Sequence, residues 1–417
     1  MASIELNKGQ MDAKKKLVRW WISHTQQTFK LQGPAGTGKT TIIFSLIDEI
    51  GLDVRTEVLF VTYVGKATLP LRRSGLQGKT IHSTIYDFGI ERVVNEKGQF
   101  VLGSDDRYKV KSTFRKRKHL GHNIKLIVVD EAGMVPDDMK RDLESFGLPI
   151  IAIGDEDQLP PVFGKSSFIK NPDARLWEIV RQKQGDPIIE LADMARKGID
   201  IPVGVYGPRC IVAEDEVMAH NWIFNKSNIV ICGKNKTRED INNRIRYDIK
   251  GYRSEFPMVG ETLVCRKNNW KECMDDIPLI NGMFGTVEHV YRETFNGKKV
   301  HIDFQPDFID DDYFPDIALD YTYLTMPMKE KANYRYGDGN RFEFGYASTC
   351  HLVQGSQYGA VMVLEEKIGD EDFHRKWLYT ALTRAQHTLL LIKRKPKPKK
   401  YNGYTSYNWY DKVAARS

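Results

Sequence analysis

Apolar positions along this chain fall in short β-branched runs rather than in alternating patterns. The clearest are Val58–Thr62, Ile124–Val129, Pro149–Ile153, Asn228–Ile231, Ala360–Leu364 and Thr388–Ile392. Each is almost continuously hydrophobic. A strand covered by helices on both faces reads this way, because neither set of alternate side chains meets water. The runs therefore predict parallel α/β sheets. Ligands of such sheets gather beyond the carboxyl ends of the strands, and a polar or glycine-bearing segment follows most of these runs.

Two stretches break the rhythm. Between Tyr86 and Lys125, Glu91–Phe100 reads as a hairpin with Asn95-Glu96-Lys97-Gly98 at its turn. The basic residues Arg107, Lys109, Lys111, Arg115, Lys116, Arg117 and Lys118 come next. They fit a solvated charged face as well as a surface for a polyanion. Residues from about 240 to 345 form a second insertion of short strands, with a Gly282–Gly285 turn and an acidic loop of Asp307, Asp310, Asp311, Asp312 and Asp316. It reads as a small, mostly β subdomain. The tail KRKPKPKK, from Lys393 to Lys400, reads as extended.

At 417 residues the chain is too long for one ordinary core, and domains of roughly 100–200 residues predict two to four of them. With 41% hydrophobic and 28% charged residues it has a soluble globular balance. No apolar run is long enough to span a bilayer, and the first residues lack a signal-peptide core. The five cysteines, Cys210, Cys232, Cys265, Cys273 and Cys350, form no C-x-x-C pair, which argues against a zinc site or a disulfide framework. A reducing, cytosol-like compartment follows. The net charge of +7 is compatible with a polyanionic partner.

The candidate chemistry begins at Gly33-Pro34-Ala35-Gly36-Thr37-Gly38-Lys39-Thr40, a complete P-loop between an apolar stretch and a helical run. Its glycines let backbone N–H groups close around phosphate oxygens, and the helix N-terminus adds a positive dipole end. Lys39 is expected at the β- and γ-phosphates of ATP, and Thr40 on Mg²⁺. In Ile127-Val128-Val129-Asp130-Glu131-Ala132-Gly133, Asp130 at a strand end suits a metal-holding carboxylate. Glu131 suits a general base for the attacking water. A third strand ends in Gly154-Asp155-Glu156-Asp157-Gln158, where Gln158 either senses the γ-phosphate or closes a polar turn.

GPAGTGKT, DEAG and GDEDQLPPV, in this order, resemble superfamily 1 helicases, and most closely superfamily 1B, the group of RecD and Dda. Further segments resemble its motifs: Leu6–Gln10 the Q motif, Thr62–Ala67 motif Ia, Thr80–Ser83 the next DNA-contacting motif, Arg181-Gln182 motif IV, Tyr346–Gln357 motif V and Leu378–Ala385 motif VI. The resemblance implies two tandem RecA-like P-loop domains, with a pin hairpin and an SH3-like β subdomain inserted. Its boundaries are 1–85 with 120–185, and 186–240 with 346–400, for the two domains. The pin takes 86–119, the β subdomain 241–345 and the tail 401–417. It implies that Gln10 reads the adenine edge, that Gly355 lies at the nucleotide, and that Arg181 and Arg384 reach the γ-phosphate. The lesser alternative for each arginine is a surface ion pair; Arg384 reads as sitting on a helix after Phe373.

The motif set also departs from the family. Motif Ia lacks its usual Ala-Pro-Thr start, and Leu352 and Gln357 stand where motif V usually has Lys and Glu. The implied track on single-stranded DNA runs over Thr62, Lys66, His82, Thr349 and His351, with Phe100 or Tyr108 as the wedge. Small polar groups at strand ends suit phosphates and sugars and read no sequence. His82 could instead be a satisfied core histidine, and the hairpin aromatics could pack on their own subdomain. The resemblance implies a monomeric, cytoplasmic 5′-to-3′ DNA helicase of bacterial or phage type. Its partners would be single-stranded and forked DNA, and replication or single-strand-binding proteins. A protein-displacing translocase and an RNA-directed helicase are the alternatives.

Overall fold

A computed structural model describes residues 6–63, 78–92, 94, 99–101, 110–161, 166–180, 185–274, 277–291, 299–307, 309, 312–334 and 339–394. The chain divides into two units, Met1–Lys183 and Gln184–Ser417.

In the first unit, the expected buried strands form one parallel sheet. It contains β1 (Thr28–Gln32), β2 (Val58–Thr62), β3 (Lys79–Thr80), β6 (Leu126–Asp130), β7 (Ile150–Gly154) and β8 (Ala174–Arg175), in the order β3-β2-β6-β7-β1-β8. The helices are α1 (Lys8–Ser23), α2 (Lys39–Glu49), α3 (Ile81–Ile85) and α4 (Asp137–Glu144). The near-continuous apolar runs now have a cause. Val128 and Ile151 pack with Leu17, Trp20, Ile42 and Leu46 of α1 and α2. Their neighbours Ile127, Val129, Ile150 and Ala152 pack with Ile81, Met139 and Leu143 of α3 and α4. Each such buried aliphatic side chain stabilises by about 1.5–3 kcal/mol.

Between α3 and β6 the chain leaves the sheet as a two-stranded antiparallel ladder, β4 (Tyr86–Arg92) with β5 (Val110–Lys116). The hairpin is thus longer and set further back than Glu91–Phe100. Val94 and Phe100 form only an isolated antiparallel bridge beyond the main ladder. Of the basic run, Lys111, Arg115 and Lys116 lie on β5, and Arg115 pairs with Glu91 across the ladder at 2.7 Å.

The second unit repeats the plan. Its sheet runs β19-β11-β20-β21-β10-β9, parallel except for the edge strand β9. The strands are β9 (Gly204–Gly207), β10 (Cys210–Glu214), β11 (Ile229–Cys232), β19 (Ala347–Thr349), β20 (Tyr358–Glu365) and β21 (Ala385–Lys393). Helices α5 (Pro187–Arg196), α6 (Asn235–Asn243) and α9 (Glu371–Leu382) belong to it.

Between α6 and β19 lies the mostly β insertion. Its main sheet is antiparallel, β17 (Phe314–Asp320), β16 (Lys299–Pro306), β15 (Phe284–Tyr291), β12 (Thr262–Cys265) and β18 (Phe342–Phe344), in that order. A small ladder joins β13 (Asn269–Met274) to β14 (Ile277–Leu279). The insertion has its own core of Leu263, Met283, Val287, Ile302, Phe304, Phe314 and Phe342. Two buried ion networks tie it to the parallel sheet. Glu343 receives Arg238, Arg266 and Lys331 at 2.9, 3.2 and 3.3 Å. Glu261 receives Arg246 and the Tyr346 hydroxyl at 2.9 and 2.8 Å. Removing one partner of such a pair leaves an uncompensated buried charge, at a cost of about 3–5 kcal/mol. Among the described residues, no helix is long and apolar enough to cross a membrane.

Candidate nucleotide and strand sites

The carboxyl ends of the first sheet gather the predicted chemistry. The P-loop leaves β1 and enters α2 directly, with Gly36 and Gly38 at φ 82° and 78°. Residues with a Cβ are costly there, so these two positions require glycine. The loop is also crowded. A Cβ at Gly33 would come within 2.8 Å of Thr37 Oγ1 and 3.0 Å of Leu176, and one at Gly38 would collide with Gln10 Nε2. The Lys39 ammonium donates to the Gly33 and Pro34 carbonyls at 2.6 and 2.9 Å. Thr37 is fully buried and donates to the Pro34 carbonyl at 2.9 Å. Ala35 and Thr40 complete the loop and the first turn of α2.

Three neighbours hold the loop. Gly33 N–H donates to the Gly154 carbonyl at the end of β7 (3.2 Å), and Val180 N–H donates to the Gly36 carbonyl (2.9 Å). Gln10 is the third. Its Nε2 donates to the Thr37 carbonyl at 3.0 Å, and its Oε1 accepts the Asn7 N–H at 3.0 Å. The Asn7 side chain accepts in return from Gln10 N–H, completing the capping box of α1. Gln10 therefore braces the P-loop against the start of α1, a role its motif did not announce. Arg181 lies outside the described residues, directly after Val180.

Asp130 closes β6, and its Oδ1 accepts the Glu131 N–H at 2.9 Å. Burial pushes the Asp130 carboxyl above its ordinary range, while the Glu131 N–H and the Lys39 charge pull the other way. Glu131 sits in the left-handed region at φ 51°. Such strain in a residue other than glycine is kept where the surroundings enforce it, often at working sites. The ends of β6 and β7 are locked together by Ile169. A Cβ at Gly133 would lie 2.9 Å from Ile169 Cδ1, and one at Gly154 would lie 2.8 Å from its Cγ2. Past β7, Asp155 is buried, and Gln158 donates its N–H to the Asp155 carbonyl at 3.3 Å. Gln158 thus lies in a turn at the sheet's working edge.

The expected strand contacts divide. Thr62 is in register with Asp130 but is fully buried. It cannot be the surface contact expected of it. On the edge strand, Thr80 Oγ1 accepts the Ser83 N–H and caps α3. Lys66 and Tyr108 lie outside the described residues. His82 sits within 5.8–6.2 Å of the rings of Tyr63, Tyr86 and Phe114. Burial holds its pKa below the ordinary histidine value, against the nearby Asp138. Phe100 is 52% exposed, with the Arg92 guanidinium 5.3 Å from its ring centre.

In the second unit Thr349 ends β19 and caps the turn that carries His351. His351 lies 6.0 Å from the Phe373 ring, and burial lowers its pKa. Gly355 turns the chain at φ 73°. Arg384 corrects an expectation. It lies beyond the C-cap of α9, not on the helix, and only 3% of it is exposed. Its guanidinium donates to the Thr380 and Ser356 carbonyls and to Thr383 Oγ1, at 3.0, 3.2 and 3.1 Å. Thr80 was within reach of sequence reasoning, since Thr-x-His occurs at Thr80–His82 and again at Thr349–His351.

Residues 5–206 match the AAA domain family, and residues 344–392 match the UvrD-like helicase C-terminal domain. Three solved structures of Pif1 helicases superpose over nearly the whole chain. One, of two coordinating Pif1 helicases at forked double-stranded DNA, has 18% identity and TM-score 0.52, over 93% of this chain and 92% of that one. Pif1 from Candida albicans has 17% identity and TM-score 0.51, over 99% and 100%. Bacteroides Pif1 with ADP-AlF3 and single-stranded DNA has 16% identity and TM-score 0.50, over 99% and 97%. The chain has the fold of these helicases. With the two family matches, this fold marks an ATP-hydrolysing helicase.

Proposed function

We propose that the protein is a DNA helicase that moves 5′ to 3′ on single-stranded DNA, drawing on ATP hydrolysis in its first unit. The observation that carries this reading is the joint placement of Lys39, Asp130 and Glu131 at the carboxyl ends of one sheet whose edge strand ends in Thr80, with His82 on the helix that follows. The braced loop fits a triphosphate, since its crowded glycines leave backbone N–H groups where no side chain intervenes. Lys39 exchanges its carbonyl partners for the phosphates. Asp130 and Thr40 would hold Mg²⁺, which neutralises charge developing on the phosphates. Glu131 accepts the proton of the attacking water at its carboxylate. Arg181 and Arg384 take the γ-phosphate role that the family resemblance gives them; for Arg384 this means exchanging its carbonyl partners.

The strand is held through phosphates and sugars, by Thr80 and His82 in the first unit and Thr349 and His351 in the second. The exposed Phe100 is the candidate wedge. Two of the similar structures, Pif1 with single-stranded DNA and Pif1 at forked DNA, support the same class of substrate.

Lys39→Ala tests the reading. We expect hydrolysis to fall by about 10²–10³ or more while binding of a single-stranded oligonucleotide is largely kept. Turnover in the wild type that does not rise with single-stranded DNA would overturn the proposal. Unwinding of a fork with only a 3′ tail would overturn its polarity.

A further inference from the structure

Two glycines of the first unit stand where their own backbone does not ask for them. Gly133 follows Glu131 by two residues and Gly154 closes β7, and neither lies in the left-handed region. The space they leave is filled by the side chain of Ile169, which is buried. Its Cδ1 would lie 2.9 Å from a Cβ on Gly133, and its Cγ2 would lie 2.8 Å from a Cβ on Gly154. The Gly133 nitrogen would be only 3.3 Å from that second Cβ. An interior packed to crystal density has no slack to absorb such overlaps. Both positions are therefore glycine in order to admit Ile169, and one side chain sets the spacing between the ends of β6 and β7.

The segment that carries Ile169 is tied down from two directions. Gln32, the last residue of β1 and the neighbour of Gly33, is buried and donates its Nε2 to the Ile169 carbonyl. Ser167 donates its N–H and its hydroxyl to Asp137 Oδ1, at the start of α4, at 2.8 and 2.7 Å. Gly133 belongs to the turn that begins at Glu131. The Met134 N–H donates to the Glu131 carbonyl at 3.0 Å, and the Val135 N–H to the Ala132 carbonyl at 3.2 Å. A push on Gly133 is thus passed to Glu131 within one hydrogen-bonded turn. Glu131 is sensitive to it, because a residue with a Cβ keeps φ 51° only while its surroundings hold it there. On the other side, Gly154 leads into the buried Asp155, whose carbonyl accepts the Gln158 N–H.

We infer that Ile169 is a positioning residue for ATP hydrolysis. It holds Glu131 in the conformation from which its carboxylate takes the proton of the attacking water, and it fixes the distance from Glu131 to the Gln158 turn. It acts through Glu131 rather than on the nucleotide. A base must stay within hydrogen-bond reach of the proton it removes, and a misplacement of about 1 Å costs up to about 10² in rate. This inference rests on the proposed role of Glu131 as the general base.

The test exchanges one carbon for another. Gly133→Ala sets a methyl group against Ile169 Cδ1, and Ile169→Val removes that Cδ1. The full chain is assayed for steady-state ATP turnover with single-stranded DNA, with ADP affinity measured beside it. Gly133→Ala should lower kcat by about 10–10² while KM for ATP and affinity for ADP stay as in the wild type. Gly133→Ala combined with Ile169→Val should recover most of that loss. Ile169→Ala empties the seat instead of crowding it and decides the matter if Gly133→Ala does not fold. It should show the same split, with kcat lowered and KM kept, and Ile169→Val should retain more of the turnover. Wild-type kcat in both Gly133→Ala and Ile169→Ala would overturn the inference. So would a double variant no faster than Gly133→Ala, or a loss of nucleotide affinity as large as the loss of kcat. Full turnover in Glu131→Gln would instead overturn the proposed role of Glu131, whatever the Ile169 variants do.

Discussion

The two units share one strand order and use it differently. Aligning β3-β2-β6-β7-β1-β8 with β19-β11-β20-β21-β10-β9 pairs β1 with β10, β2 with β11, β3 with β19 and β6 with β20. After β1 comes the glycine loop; after β10 comes the helical turn Asp215–Ala219, which has no glycine to take a positive φ around a phosphate. After β6 come Asp130 and Glu131, with the Lys39 charge acting on Asp130. After β20 come Glu365 and Glu366, and Glu366 is folded inward. It accepts the Gly233 and Lys234 N–H groups at 2.9 Å each and the Thr237 hydroxyl at 2.7 Å, and pairs with Arg394 at 2.9 Å. It thus serves the N-terminal end of α6 as an internal anion. The edge strands agree: each ends in a threonine, with a histidine two residues later in the helical turn that follows. The glycine loop thus belongs to one unit, whereas an edge strand ending in threonine stands in both.

Breaking the asymmetry gives the largest effects. Arg384→Ala should lower the ATP turnover number by roughly 10³–10⁵ if its guanidinium serves the γ-phosphate. Steady-state turnover with single-stranded DNA, measured beside a melting curve, decides the matter. A lower melting temperature with intact turnover would leave Arg384 as a brace between Ser356 and Thr380. Glu131→Gln should cost roughly 10²–10⁴ in turnover, the usual share of a general base, with nucleotide affinity retained in equilibrium binding. Parallel loss of affinity would place Glu131 in binding instead.

Smaller effects sharpen the other side. Glu366→Gln should leave the ATPase site untouched and destabilise the second unit by roughly 1.5–3 kcal/mol, the scale of hydrogen bonds to a charged group. Denaturant unfolding would read this, and a change in nucleotide affinity would contradict it. The smallest effect is a pH dependence. Burial lowers the pKa of both His82 and His351 in the folded chain, so the unfolded chain binds protons first as pH falls through about 6.5. Their contribution to stability is complete above that pH and declines below it, until the folded pKa is reached. His82→Gln should flatten part of the fall in melting temperature between pH 7.5 and 5.5.

Much of this was legible because local chemistry enforces it. A loop needing positive φ at Gly36 and Gly38, and strands needing apolar side chains on both faces, leave marks in residue order. Other features depend on distant neighbours. The hydrogen bond from the Gln10 amide to the Thr37 carbonyl exists only once the fold brings α1 to the P-loop. Thr62 reads as a surface hydroxyl until the fold buries it. The ladder from Tyr86 to Lys116 extends past the expected hairpin because its second arm, Val110–Lys116, lies well beyond the expected turn, and antiparallel pairing over that distance carries no local signal.

The sequence by itself determined the parallel α/β architecture, the position of the P-loop and the carboxylates that serve it, since these follow from backbone sterics and burial within a few residues. Only the tertiary structure decided that Thr62 is buried, that Arg384 is held by carbonyls of its own unit, and that the insertion's Gly282 turn seats against Leu352. Those outcomes are set by which strands become neighbours, a choice made through packing between segments far apart in the chain.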